Sequence, residues 1–138
     1  GATPPRVSIA HSGDAAVALA TPEAAMGIDV EIIRDSILEI ESDFVSPGEM
    51  DRVMSAAGLE RTAALTSVWA AKEAARKAVG PDQCAMSDMV IDHVEVDGDC
   101  VACDLAVDGR VCARAVTRIS AGYAYAVSRS LKSRNGGS

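Results

Sequence analysis

Residues 59–80, LERTAALTSVWAAKEAARKAVG, constrain this chain more than any other stretch. Seven alanines and no Gly or Pro before Gly80 make it the strongest helix in the sequence. Gly80-Pro81 supplies the stop. At i, i+3, i+4 spacing, Leu65, Trp69, Glu73, Arg76 and Lys77 share one stripe. A second helix is expected over about 47–57. Ser46 can cap it, Pro47 suits its first position, Glu49 can close a capping box, and Gly58 breaks it.

The remaining segments read as strands. RVSIAH (6–11) and AAVALA (15–20) flank the turn signal SGD, and MGIDVEII (26–33) follows. Four more are expected at about 89–96, 100–107, 110–118 and 122–129, joined through DGD (97–99), DGR (108–110) and SAG (120–122). The order is three strands, two helices, four strands. Links this short exclude parallel crossovers, so the fold class is α+β with a mostly antiparallel sheet packed against a long helix. Residues 1–6 read as a lead-in, 7–130 as a single domain, and LKSRNGGS (131–138) as a flexible tail.

Of the 138 residues, 49% are hydrophobic but only 3% aromatic, so the core must be built from aliphatic side chains and Met. A net charge of −7 argues against general binding to nucleic acid or an anionic membrane. No run approaches the roughly 18 apolar residues of a membrane span, and no signal-peptide pattern is present. Four cysteines are too few for a disulfide framework and are read as reduced, in a cytoplasmic protein. Cys100 and Cys103 form a lone CxxC whose thiols point to opposite faces of a strand, a poor zinc or redox pair.

Within MGIDVEII, alternation puts Met26, Ile28, Val30 and Ile32 on one face, expected to anchor the strand to the core, and Gly27, Asp29, Glu31 and Ile33 on the other. Asp29 and Glu31 lie about 6–7 Å apart along the strand and could converge on a hard cation such as Mg²⁺. The plainer reading is an edge strand with a solvated face. Glu73 could be a third oxygen ligand or a base, with Lys72 and Lys77 as anion clamps. It could equally form a surface i,i+4 pair with Lys77. His11-Ser12-Gly13 at a strand end could grip an anion or serve only as structural hydrogen bonders.

Taken together, VSIAHSG, GIDVE, and Phe44-Val45-Ser46-x-x-Glu49 leading to WAAKEAARKAVG resemble, in order and spacing, the 4′-phosphopantetheinyl transferase superfamily. The motifs cover about residues 7–80. The resemblance implies an enzyme of the holo-acyl-carrier-protein synthase type, which moves 4′-phosphopantetheine from coenzyme A to a serine of an acyl or peptidyl carrier protein and releases 3′,5′-ADP. It implies Mg²⁺, or Mn²⁺ in its place, held by Asp29, Glu31 and Glu73, with Asp29, Glu73 and Lys77 catalytic and Glu73 the candidate base. It implies that His11, Ser12, Lys72, Arg76 and Lys77 bind coenzyme A, and that Arg34 meets the acidic recognition helix of the carrier.

Family helices often run into a Gly-x-Gly loop, where this chain has Gly80-Pro81-Asp82. Long members have two halves with the site between them, and this chain corresponds to one half. Short members form trimers with sites between subunits. The resemblance therefore implies a trimer or dimer, or an intramolecular partner region, as in a domain of a larger polyketide or fatty-acid synthase. The competing expectations are a carrier-binding half-domain that is inactive without its partner, and an unrelated Mg²⁺-dependent phosphohydrolase.

Overall fold

The computed structural model describes the backbone of residues 6–13, 15–21, 25–80, 82 and 84–131, and their side chains apart from 6–11 and 15–21. Of the expected lead-in at 1–6, residues 1–5 lie outside the described residues and Arg6 opens the first strand; of the expected tail at 131–138, residues 132–138 lie outside them. Among the described residues, seven strands and three α-helices follow in the order β1 (Arg6–Ser12), β2 (Ala15–Thr21), β3 (Met26–Ile32), α1 (Glu41–Phe44), α2 (Glu49–Ala57), α3 (Arg61–Val79), β4 (Val90–Asp97), β5 (Cys100–Val107), β6 (Arg110–Ser120) and β7 (Tyr123–Ser130). The expected α+β class and antiparallel pairing are observed.

Five strands form one sheet in the order β3-β7-β6-β5-β4, and β1 and β2 form a separate antiparallel hairpin. The last strand returns beside β3, so residues distant in sequence become neighbours: Asp29 pairs with Ala126 and Glu31 with Ala124. Two hairpin turns use positive φ at both central residues, Asp108-Gly109 (52° and 78°) and Ala121-Gly122 (51° and 82°). That geometry matches the right-handed twist of the flanking strands.

Helix α3 crosses one face of the sheet over β3, β7 and β6. The main core lies beneath the helices: Phe44, Met50, Val53, Leu65, Val68, Met89, Ile91 and Leu105, with alanines filling the rest. Towards the β3 edge the contact narrows to Ala70 and Ala74 against Ala124 and Ala126. Gly27 completes this close approach. A Cβ there would stand 2.1 Å from the Ala74 carbonyl oxygen and 2.9 Å from the Ala78 nitrogen. The glycine of GIDVE is therefore a packing requirement of strand against helix.

Three details differ from the sequence reading. Residues 35–44 form a 3-10 segment (Asp35–Ile40) running into the single turn α1. Helix α2 begins at Glu49 behind a turn at 47–48, because Gly48 takes a left-handed conformation. Finally, Ile28 and Val30 join a small cluster with Tyr123 and Tyr125 on the sheet face opposite α3, so the apolar face of β3 is not anchored in the main core. The β1–β2 hairpin approaches β3, and Ser12 Oγ accepts a 2.8 Å hydrogen bond from the Ile32 backbone N–H.

Candidate functional site

Alternation along β3 turns Gly27, Asp29 and Glu31 toward α3, and the flanking alanines let the helix come near enough to bury Gly27 and Asp29 and to half-bury Glu31. Asp29 is only 6% exposed, so its face is covered by helix, not solvent. From α3, Trp69, Glu73 and Lys77 stand one turn apart on the facing stripe.

Trp69 Nε1 donates to Glu31 Oε1 at 3.0 Å. Lys77 Nζ lies 3.6 Å from Asp29 Oδ1 and donates to the Ile28 carbonyl at 2.9 Å. Glu73 is half-buried and adds its charge to the field at Asp29. The expected trio of Asp29, Glu31 and Glu73, and the expected cation Lys77, thus gather between one strand and one helix.

The electrostatics are unfavourable to an ionised Asp29. Burial is the largest cause and repulsion from Glu31 the next. Lys77 opposes and Glu73 adds to the rise, and together they push the carboxyl pKa from 3.8 up to about 8. Asp29 Oδ2 is buried without a hydrogen-bond partner. Asp29 and Glu31 are close enough to share a proton, but two ionised carboxylates have none to share. A proton or a cation between them would satisfy both observations.

Among the described residues, no three Asp, Glu, His or Cys groups already stand as a metal cluster. The donor set nonetheless fits a hard cation such as Mg²⁺, which is typically bound through one or two carboxylates and completed by water and substrate phosphate oxygens.

A cleft of about 280 Å³ opens beside Glu31, lined by Ile32, Arg34, Ser36, Ile37, Ile40 and Trp69. Arg34 is exposed there, within the same cleft as Glu31. The side chain of His11 lies outside the described residues. Ser12 Oγ is already engaged by Ile32. Arg76 Nε donates to the Cys84 carbonyl at 3.3 Å, toward the segment that follows α3.

Lys72 requires a correction. The expectation of a phosphate contact does not fit its placement, because Lys72 is 0% exposed. It donates to the Phe44 carbonyl and lies 3.0 Å from Glu49 Oε2. Burial lowers its pKa, with Glu49 opposing. Neighbouring helix positions do not face the same way, and Lys72 continues the apolar row of Leu65 and Val68 while Glu73 faces the strand. Glu49, expected as half of a capping box, also proves to be a buried hub. It accepts from Ser46 N (3.0 Å), Lys72 Nζ and Ile91 N (2.7 Å), joining α2, α3 and β4. The Ser46 hydroxyl donates to Glu49 and does not cap the helix. Cys103 is buried, with its thiol pKa pushed up to about 12 chiefly by desolvation, and all four cysteines are free.

The sequence profile of the 4′-phosphopantetheinyl transferase superfamily matches residues 25–126. A Synechocystis protein described as a candidate 4′-phosphopantetheinyl transferase is 32% identical over 78 residues, which are 55% of this chain and 32% of that protein. The chain thus spans about a third of the length of that curated relative. The crystal structure of Helicobacter pylori holo-[acyl-carrier-protein] synthase in complex with coenzyme A superposes with a TM-score of 0.51. It is 18% identical, and the match covers 76% of this chain and 98% of that one. At that identity the likeness speaks for the fold.

Proposed function

The chain belongs to the 4′-phosphopantetheinyl transferase superfamily, and from that premise we propose that it transfers 4′-phosphopantetheine from coenzyme A to a serine of an acyl or peptidyl carrier protein. The observation that carries this reading is the buried, partnerless Asp29 Oδ2 beside Glu31 and within the field of Glu73, on the strand and helix that bear the matched motifs. In the proposed reaction the serine Oγ bonds to the phosphorus that bears pantetheine. The bond from that phosphorus to the bridging pyrophosphate oxygen breaks, and 3′,5′-ADP leaves with the electron pair.

Such a displacement needs positioning and charge neutralisation more than covalent help from the protein. Asp29, Glu31 and Glu73 would hold a Mg²⁺ ion, which when bound would neutralise the pyrophosphate charge. Glu73, half-buried on the stripe of α3 that faces β3, accepts the serine proton. Lys77 balances Asp29 and offers a cation to the phosphates. Arg34, exposed at the cleft rim, meets an acidic carrier surface.

The test incubates the chain with coenzyme A, Mg²⁺ and apo carrier proteins and weighs the carriers. A gain of the phosphopantetheine mass is expected, and Asp29→Ala and Glu73→Ala should each abolish it in folded protein. A carrier left at its apo mass across several candidates would reject the activity. Retained transfer by both variants would reject the residue assignment.

A further inference from the structure

Glu31 is held differently from Asp29. Its carboxylate takes a 3.0 Å hydrogen bond from the indole N–H of Trp69, the one tryptophan in the chain. The indole is itself held from behind: the Phe44 ring meets it edge-on, with centroids 4.9 Å apart and planes at 83°. Phe44 is 2% exposed, and its carbonyl accepts from the ammonium of Lys72. Lys72 in turn is paired to Glu49, which Ile91 N and Ser46 N anchor. A continuous series of contacts therefore runs from the rigid junction of α2, α3 and β4 to one carboxylate oxygen of the acid cluster.

We propose that Trp69 is a positioning residue, which fixes the Glu31 carboxylate for a divalent cation through its indole N–H and is held in place by Phe44, Lys72 and Glu49. This rests on the reading of Asp29, Glu31 and Glu73 as a cation site. Without the indole, Glu31 would be free to swing into the open cleft beside it, and the remaining oxygens would have to order it on binding. Partners of this kind behind a metal-ligating group typically change affinity ten- to a hundredfold. A role in packing alone would instead change stability and leave cation affinity where it was.

Trp69→Phe separates the two roles, because it keeps an aromatic ring against Phe44 and removes the donor. The full chain holding coenzyme A is titrated with Mn²⁺ by calorimetry, as wild type, Trp69→Phe and Asp29→Asn. We expect wild-type binding, loss of binding in Asp29→Asn, and a Kd raised roughly ten- to a hundredfold in a Trp69→Phe protein that melts near the wild type. Equal affinity in Trp69→Phe would overturn the positioning role and leave the cation site standing. No binding by the wild type would overturn both.

Should Trp69→Phe fail to fold, the indole N–H resonance of the intact chain decides, since a single tryptophan gives a single signal. It should shift on addition of Mg²⁺ in the wild type and stay fixed in Asp29→Asn. A signal that stays fixed in a wild type that binds Mn²⁺ would overturn the proposal.

Discussion

Asp29 is where the fold works against itself. Its folded-state pKa of about 8 lies above the ordinary 3.8, so the protonated acid is the form the fold favours. Below about pH 4 both folded and unfolded chains hold the proton and burial carries no ionic penalty. As pH rises toward about 8 the unfolded chain releases its proton and the folded chain resists, so stability falls over that window. In chelator, the melting temperature of the wild type should therefore drop from mildly acid to mildly alkaline pH. Asp29→Asn should flatten that slope and melt higher than the wild type at the alkaline end, while losing transfer activity. A variant that melts lower at alkaline pH would contradict the assigned burial penalty. The acids themselves were legible in the sequence, because period two fixed their common side. The burial of Asp29 was not legible, since it depends on alanines of α3 and β7 that only the folded chain brings beside it. Lys72 shows the opposite failure: adjacent to Glu73 in sequence, it lies about 100° around the helix and belongs to the core.

At the scale of elements, the pairing of β3 with α3 rests on the smallest residues available. Gly27→Ala puts a methyl 2.1 Å from the Ala74 carbonyl oxygen and 2.9 Å from the Ala78 nitrogen, helix backbone that cannot turn aside. Strand and helix must separate, so a loss of roughly 1–3 kcal/mol or more is expected, read as a lower urea midpoint at unchanged slope. Because the same separation draws Glu73 and Lys77 away from Asp29, cation binding should weaken with it. A stable Gly27→Ala protein with wild-type affinity would show that the approach of helix to strand is not what assembles the site. The elements were largely readable beforehand. Helix α3 was bounded by Gly80-Pro81, and the four later strands were separated by three Asp-Gly and Ala-Gly turns whose glycines take positive φ. The 3-10 segment and α1 at 35–44 gave no such signal. They carry no glycine or proline to mark an end, and their exposed Leu38 and Ile40 break any clean amphipathic period.

For the molecule as a whole, the acid cluster sits at the β3 edge of the sheet, and the cleft beside Glu31 is open and only about 280 Å³. Sites that bury even drug-sized ligands usually span about 300–1,000 Å³, and coenzyme A is larger than that class. On the proposed reading this cleft would take the reacting-phosphate end of coenzyme A, and by itself it is too small to enclose the rest of the ligand. The sheet also leaves Val96, Val111, Val116 and Val127 exposed, apolar area that a second chain or a further segment of protein could cover. We expect coenzyme A affinity and transfer rate per chain to rise with protein concentration, and sedimentation with coenzyme A and Mg²⁺ to reveal a species larger than the monomer. Full activity in a species that stays monomeric across the concentration range would show that one chain completes the site, with the cleft widening on binding. A strict monomer that captures carrier protein yet transfers nothing would instead identify it as a docking half whose catalytic complement lies in another segment.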